Sequence, residues 1–292
     1  MLLLTGATGT VGAALLHRLT VAGTEVRCLV RDPRGLGAQR VRVNIALGDL
    51  ADPPSFRNAL RGVDTVVHLA ASIRDQRSGS IEELNGIATW RMVSAAERAG
   101  VGHFVFASAL GATTSNRARF MRAKALAEDA VRASAVPHTI LAPSVVYAPG
   151  DHYLTLLQRL ALGPAVPVPG SGRATVQPIW AQDVADCVMG VLDGRGDGRS
   201  RYELAGPEPL THRAFADLIL RSAGRPRPLV RVPGPIASRS LRAAEWVLKG
   251  RTPATWDEAE LLEVPMTAAR GTADAEALGV APQRIAAVLG IR

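Results

Sequence analysis

The chain has 292 residues, 47% of them hydrophobic and 4% aromatic, with a formal net charge of +8. This length suits one large α/β domain or a core domain with a smaller lobe. No apolar run nears the ~18–20 residues of a membrane span, and with Met1 leading straight into a strand no signal or transit peptide is expected.

The charge alone does not argue for nucleic acid. The arginines are scattered, no block of five or six like charges occurs, and few aromatics are available for base stacking, so no nucleic-acid partner is expected. Cys28 and Cys187 stand alone, as buried thiols of a reducing cytoplasm do. Among 34 basic residues only Lys124 and Lys249 are lysines. A lysine kept in so arginine-biased a chain is worth following, because a titratable amine does chemistry that a guanidinium cannot.

In chain order, the apolar run Leu2-Leu3-Leu4 leads into Thr5-Gly6-Ala7-Thr8-Gly9-Thr10-Val11-Gly12. A strand ends at Thr5 and a helix begins near Thr10. The three glycines suit a tight turn, a close approach to a diphosphate and close helix–strand packing. The open N–H groups of the helix start would then face the phosphates. Residues 25–30 and 41–47 read as strands, 53–60 as a short helix capped by Asp52, 65–70 as an apolar strand, and 81–99 as a helix stopped by Gly100. Strands follow at 103–108 and 138–143, around a long helix at 117–134. The alternation predicts an α/β fold, a Rossmann-type doubly wound parallel sheet with helices on both faces. Ligands bind such sheets at the carboxyl ends of the strands, which singles out Arg31, Asp49, residues 69–71, Ser108 and residues 143–146.

Beyond Gly150 the pattern loosens: helix at 153–162, loop at 163–172, helix at 183–192, strand at 201–205, and a helix at 211–223 that Thr211 caps. From Pro226 short helices are expected at 236–248, 256–262, 273–278 and 284–289. The expected division is a dinucleotide-binding domain of residues 1–150 and 178–206, with a smaller, mostly helical lobe of residues 151–177 and 207–292. Segment 236–248, with Trp246 and Val247 on its apolar face, is expected to pack over the substrate cleft rather than on a membrane.

The ordered motifs Thr5–Gly12, Gly48-Asp49-Leu50, His68-Leu69-Ala70-Ala71, Ser108-Ala109-Leu110-Gly111, Lys124 with Ala127-Glu128, Pro143-Ser144-Val145-Val146-Tyr147, Gln177-Pro178-Ile179 with Asp183-Val184-Ala185, and Tyr202–Pro207 carry a resemblance. The chain resembles an extended or atypical short-chain dehydrogenase/reductase of the NAD-dependent epimerase/dehydratase type. It is most similar to the branch of the NADPH-binding accessory subunit of respiratory complex I. The resemblance implies that Gly6, Thr8, Gly9, Thr10, Val11 and Gly12 hold the cofactor. It places Asp49 at the adenine edge with Leu50 against the ring; a structural turn role for Asp49 is the alternative. Leu69, Ala70 and Ala71 let the cofactor lie flat on a strand end, and Lys124, Pro143, Val145 and Val146 complete the binding set. Arg31 at the end of the second strand, where an acid would select NAD(H), favours NADP(H), with NAD(H) as the alternative.

Catalysis is where the chain departs from that family. Its members carry Tyr-x-x-x-Lys on the helix after the fifth strand, the spacing that puts both side chains on one face. Here the same place reads Phe120-Met121-Arg122-Ala123-Lys124. Three readings stay open: a cofactor-binding protein without redox chemistry, acid/base work by Lys124 with Ser108 polarising the acceptor, or a phenol or imidazole reaching in from Tyr153 or His152. The expectation leans to an oxidoreductase acting on a small carbonyl or unsaturated compound, with a non-catalytic NADPH-binding sensor or assembly subunit as the alternative. Ala142 stands where relatives often have an arginine before Pro143, which argues against an anionic sugar nucleotide unless Arg119, Arg122 or Arg173 substitutes. The six histidines show no metal-ligand spacing, and no Gly-x-Ser-x-Gly elbow exists. The expected partner is a small-molecule substrate, with the chain a cytoplasmic monomer or homodimer.

Overall fold

A computed structural model describes residues 1–233, 252 and 254–291; segment 236–248 lies outside them. Six strands, β1 (Leu2–Thr5), β2 (Val26–Val30), β3 (Asn44–Leu47), β4 (Thr65–His68), β5 (His103–Ala107) and β6 (His138–Pro143), alternate with helices α1 (Thr10–Val21), α2 (Pro53–Phe56), α3 (Ala88–Arg98) and α4 (Arg119–Ala133). The rest of the chain supplies β7 (Val146–Tyr147), α5 (His152–Leu160), β8 (Val166–Pro169), β9 (Thr175–Val176), β10 (Ile179–Trp180), α6 (Ala181–Leu192), β11 (Arg201–Leu204), β12 (Leu210–Thr211), α7 (His212–Ser222) and β13 (Leu229–Val232). One seven-stranded sheet runs β3-β2-β1-β4-β5-β6-β11, and every neighbouring pair in it is parallel. The Rossmann-type expectation is met. The direction of winding reverses beside β1, which opens a crevice at its carboxyl end.

Alternation along the strands sends side chains to two cores. Leu2 and Leu4 join Leu15, Leu16 and Leu19 of α1 and Val184, Cys187 and Val188 of α6 on one face. Leu3 joins Phe56, Met92, Val93, Phe104, Phe106 and Val131 on the other. Both cysteines are free and buried. A third cluster gathers around Tyr147, Leu154, Leu157, Phe215 and Ile219. Among the described residues no helix is long and apolar enough to cross a membrane.

Several boundaries differ from expectation for local reasons. β3 begins at Asn44 because Pro33–Val41 is taken by a 3-10 segment whose first turn Asp32 caps. The helix expected at 81–99 contains a π-helical turn at Glu83–Ile87 before α3. There the buried Asn85 amide bonds the backbone of Ser72 and Ile81. Residues 163–172 are not all loop: β8 pairs in parallel with β13, a strand where only helices were expected. Pro167 and Pro169 hid it, since proline suits only strands that need no ladder donor at that position. Finally, Ala273–Ala277 was placed in the lobe, yet Ala275 and Leu278 join the main core beside Tyr202 and Leu204 of β11.

Candidate cofactor and active site

The crevice is a cavity of about 410 Å³ at the carboxyl ends of β1, β2 and β4. Of the residues expected to hold a cofactor, Gly6, Thr8, Gly9, Arg31, Asp49, Leu50, Leu69, Ala70 and Ala71 line it. Gly6 has a φ of +74°, and a Cβ there would lie 2.6 Å from the Ala70 amide nitrogen. Gly12 does not line the cavity; it lets α1 sit on the turn, because a Cβ would fall on the Gly6 carbonyl oxygen. Gly9 is the N-cap of α1 with no side-chain acceptor, and the first turn of the helix holds no acid. A bare, positively polarised helix end facing a cradle that any side chain would fill fits a diphosphate. Thr10 and Val11 belong to that first turn rather than to the lining.

Arg31 lies at the rim, where its Nη1 donates to Gln76 Oε1 at 2.8 Å and to Ser78 Oγ at 3.4 Å. The neighbouring acid, Asp32, is chelated by Arg34, which holds its carboxyl below the usual range. An arginine free to leave two neutral partners, next to an acid already neutralised, suits a 2′-phosphate. Arg31→Ala is therefore expected to weaken NADPH binding about tenfold or more, the size of a hydrogen bond to a charged group, with NADH affinity unchanged by calorimetry. Asp49 Oδ1 accepts from Ala51 N–H at 3.0 Å, tying the turn, and the residue also lines the cavity. Gln76 and Gly35 also line it and carried no sequence signal. Both sit in segments without periodicity, brought in by folding alone.

The catalytic candidates lie apart from the cavity lining. Lys124 is only 2% exposed. Its Nζ donates to the Ala107 carbonyl at 2.6 Å and stands 4.8 Å from the centre of the Phe106 ring and 5.7 Å from that of Phe120. Burial pushes its pKa down to about 7, against the opposing charge of Glu128 one helical turn on. His68 is also wholly buried, and burial together with Lys124 drives it down to about 3. Thr89 Oγ1 gives its proton to the Asn85 carbonyl, so His68 Nε2 donates to Thr89 and Nδ1 accepts from Thr5. The neutral imidazole thus bridges the glycine turn to α3.

Ser108 differs from expectation. Its hydroxyl is not in the cavity lining; it donates to the buried carboxylate of Glu128, which Arg132 and Arg201 also bind. Glu128 stood in the sequence as one member of a motif with no role attached. Pro143, Val145 and Val146 also lie outside the lining. Ser144 Oγ donates to the Met266 carbonyl at 2.7 Å and accepts from Gln177 N–H at 3.1 Å. Gln177 in turn bonds Gly206 and Ala268. Tyr153 lies outside the cavity lining; it stacks on Phe215, where burial raises its pKa. His152 Nε2 accepts from the Arg74 guanidinium at 2.7 Å.

Residues 6–193 match the family described as NAD(P)H-binding. A (4-alkanoyl-5-oxo-2,5-dihydrofuran-3-yl)methyl phosphate reductase of Streptomyces griseus is 30% identical over 84% of this chain and 86% of its own. Subunit 9 of the NADH dehydrogenase [ubiquinone] 1 alpha subcomplex, mitochondrial, of Arabidopsis thaliana is 28% identical over 80% of this chain, which spans only 60% of that protein's length. In three dimensions, the NADPH-dependent quinone oxidoreductase QOR2 of Escherichia coli, solved with NADPH, superposes with a TM-score of 0.77 over 99% of both chains at 17% identity. With the glycine cradle, the parallel sheet and a family match across most of the sheet, the chain belongs to the NAD(P)H-binding family.

Proposed function

We propose that the chain is an NADP(H)-dependent oxidoreductase that reduces a small carbonyl or unsaturated compound without the family's phenolic acid. One observation carries the reading: the lysine that follows the missing tyrosine is held between two phenylalanine rings, with a pKa near 7. A group that titrates at the working pH suits general acid catalysis. When bound, the nicotinamide cofactor supplies the hydride. The backbone around Gly6 and Gly9 holds the diphosphate, Arg31 the 2′-phosphate, and Lys124 Nζ the proton destined for the acceptor oxygen. For that it gives up its bond to the Ala107 carbonyl. Ser108 acts as a positioning residue: its hydroxyl fixes Glu128, whose charge favours the ammonium form of Lys124. Buried thiols at Cys28 and Cys187 suit a reducing cytoplasm.

A second reading rests on the same lysine. With Nζ already donating to Ala107 and Phe120 carrying no proton, a non-catalytic NADPH-binding subunit is the alternative, and a complex I subunit is among the relatives. The test is NADPH oxidation with a panel of ketones, aldehydes and enones, followed by absorbance beside Phe120→Tyr. Turnover by the wild type supports the reductase. Tight NADPH binding with no turnover in either protein supports the subunit reading.

A further inference from the structure

We propose that the acceptor taken at Lys124 is an uncharged molecule with an apolar body, and that anionic acceptors such as nucleotide sugars are disfavoured; this rests on the reductase reading above. The surroundings of Phe120 supply the first argument. Its ring belongs to a cluster with Leu110, Met121, Val176, Val264 and Met266, and the members that keep accessible surface include Phe120, Val145 and Leu261. The stitching of Ser144 and Gln177 to Met266 holds the 264–268 segment against this cluster. The Phe120 ring, 5.7 Å from Lys124 Nζ, is thus backed by an apolar cluster among the described residues.

The second argument is electrostatic. Two arginines that could clamp an anion there, Arg119 and Arg74, are already held by carboxylates. Arg119 is chelated by Glu82 at 2.6 and 2.9 Å and by Asp75 at 3.0 and 3.1 Å, with Asp257 at 3.4 Å. Arg74 is chelated by Glu258 at 2.6 and 2.9 Å. Arg122 donates to the carbonyls of Asn116 and Arg117. The turn that carries Arg173 is organised around the Glu263 carboxylate. Two guanidiniums, Arg74 and Arg119, thus face four carboxylates. A diphosphate entering this region would lose its hydration and meet the carboxylates that already hold Arg74 and Arg119. An alkyl or aryl body, by contrast, gains with each carbon it buries.

The test is calorimetric binding of 2-butanone, 2-pentanone, 2-hexanone and 2-octanone, with 7-oxooctanoate and UDP-glucose as charged comparators, to the NADPH-loaded protein and to the protein alone. NADPH oxidation is followed in parallel. Affinity is expected to rise about threefold per added methylene. The carboxylate of 7-oxooctanoate is expected to lower affinity by about a hundredfold relative to 2-octanone. Leu261→Asp is expected to weaken 2-octanone about tenfold or more while NADPH binding is kept; should that variant fail to fold, Leu261→Ala, with about a threefold loss, takes its place. A flat series, no ketone binding at all, or equal or tighter binding of either charged comparator overturns the inference. The binding series decides this independently of turnover. Failure of NADPH to bind, or of any ketone to be reduced, counts against the reductase reading alone.

Discussion

Gly12→Ala is expected to abolish measurable NADPH binding and to destabilise the chain together. The new methyl group would be driven onto the Gly6 carbonyl oxygen and toward Ala7 Cα, both backbone atoms with no rotamer to relieve the clash. Over-packing of this kind costs about 3 kcal/mol at its upper end, which for a chain of this size lowers the melting temperature by roughly 5–10 °C. Gly9→Ala is the companion experiment. Its φ of −79° admits alanine, and a Cβ meets only the Gly6 oxygen at 3.3 Å. The fold should hold while the methyl group blocks the approach of a diphosphate. Thermal unfolding and NADPH calorimetry on both variants check this; loss of binding in Gly12→Ala with full retention in Gly9→Ala would contradict a cofactor seated on that turn.

Lys124→Met is expected to lower turnover by about 10²–10⁴-fold, the range for removal of a general acid, with NADPH affinity changed far less. The pH behaviour follows from the same residue. As the proton donor, Lys124 is competent below about pH 7, so the reduction rate should fall about tenfold per unit above it. Stability runs the other way. The folded pKa of Lys124 is depressed to about 7 from an ordinary 10.5, so between those values the unfolded chain binds the proton and the folded chain does not. Folding stability from this group therefore rises with pH across that window. Lys124→Met removes the dependence: its stability advantage over the wild type should be largest near pH 7 and vanish toward pH 10.5. Urea unfolding at three pH values reads the difference directly, and a pH-independent difference would show that the lysine is not held in its neutral form.

Much of the crevice lining could be read before folding. The spacing of Gly6, Gly9 and Gly12 after a short apolar strand is dictated by backbone geometry alone, so it declares itself locally. Arg31 and Asp49 were identifiable because they follow strands, and a parallel sheet presents those positions to its crevice. Lys124 was marked by rarity of type and by the frame around it. The hidden features were those made by pairing across the chain. Gln76 reaches Arg31 from a loop with no pattern, β8 and β13 are separated by some sixty residues, and the hydroxyl of Ser108 turns to Glu128 on another element.

By itself, the sequence determined the alternation of strands and helices through residue 143, the glycine turn after β1 and the presence of Phe120 four residues before Lys124, since each depends on residue type and short-range spacing. Only the tertiary structure decided that Lys124 is desolvated between Phe106 and Phe120, that Ser108 serves Glu128, and that Arg119 and Arg74 are held by carboxylates. Ionisation and charge balance depend on what surrounds a group in space, and those neighbours come from distant stretches of the chain.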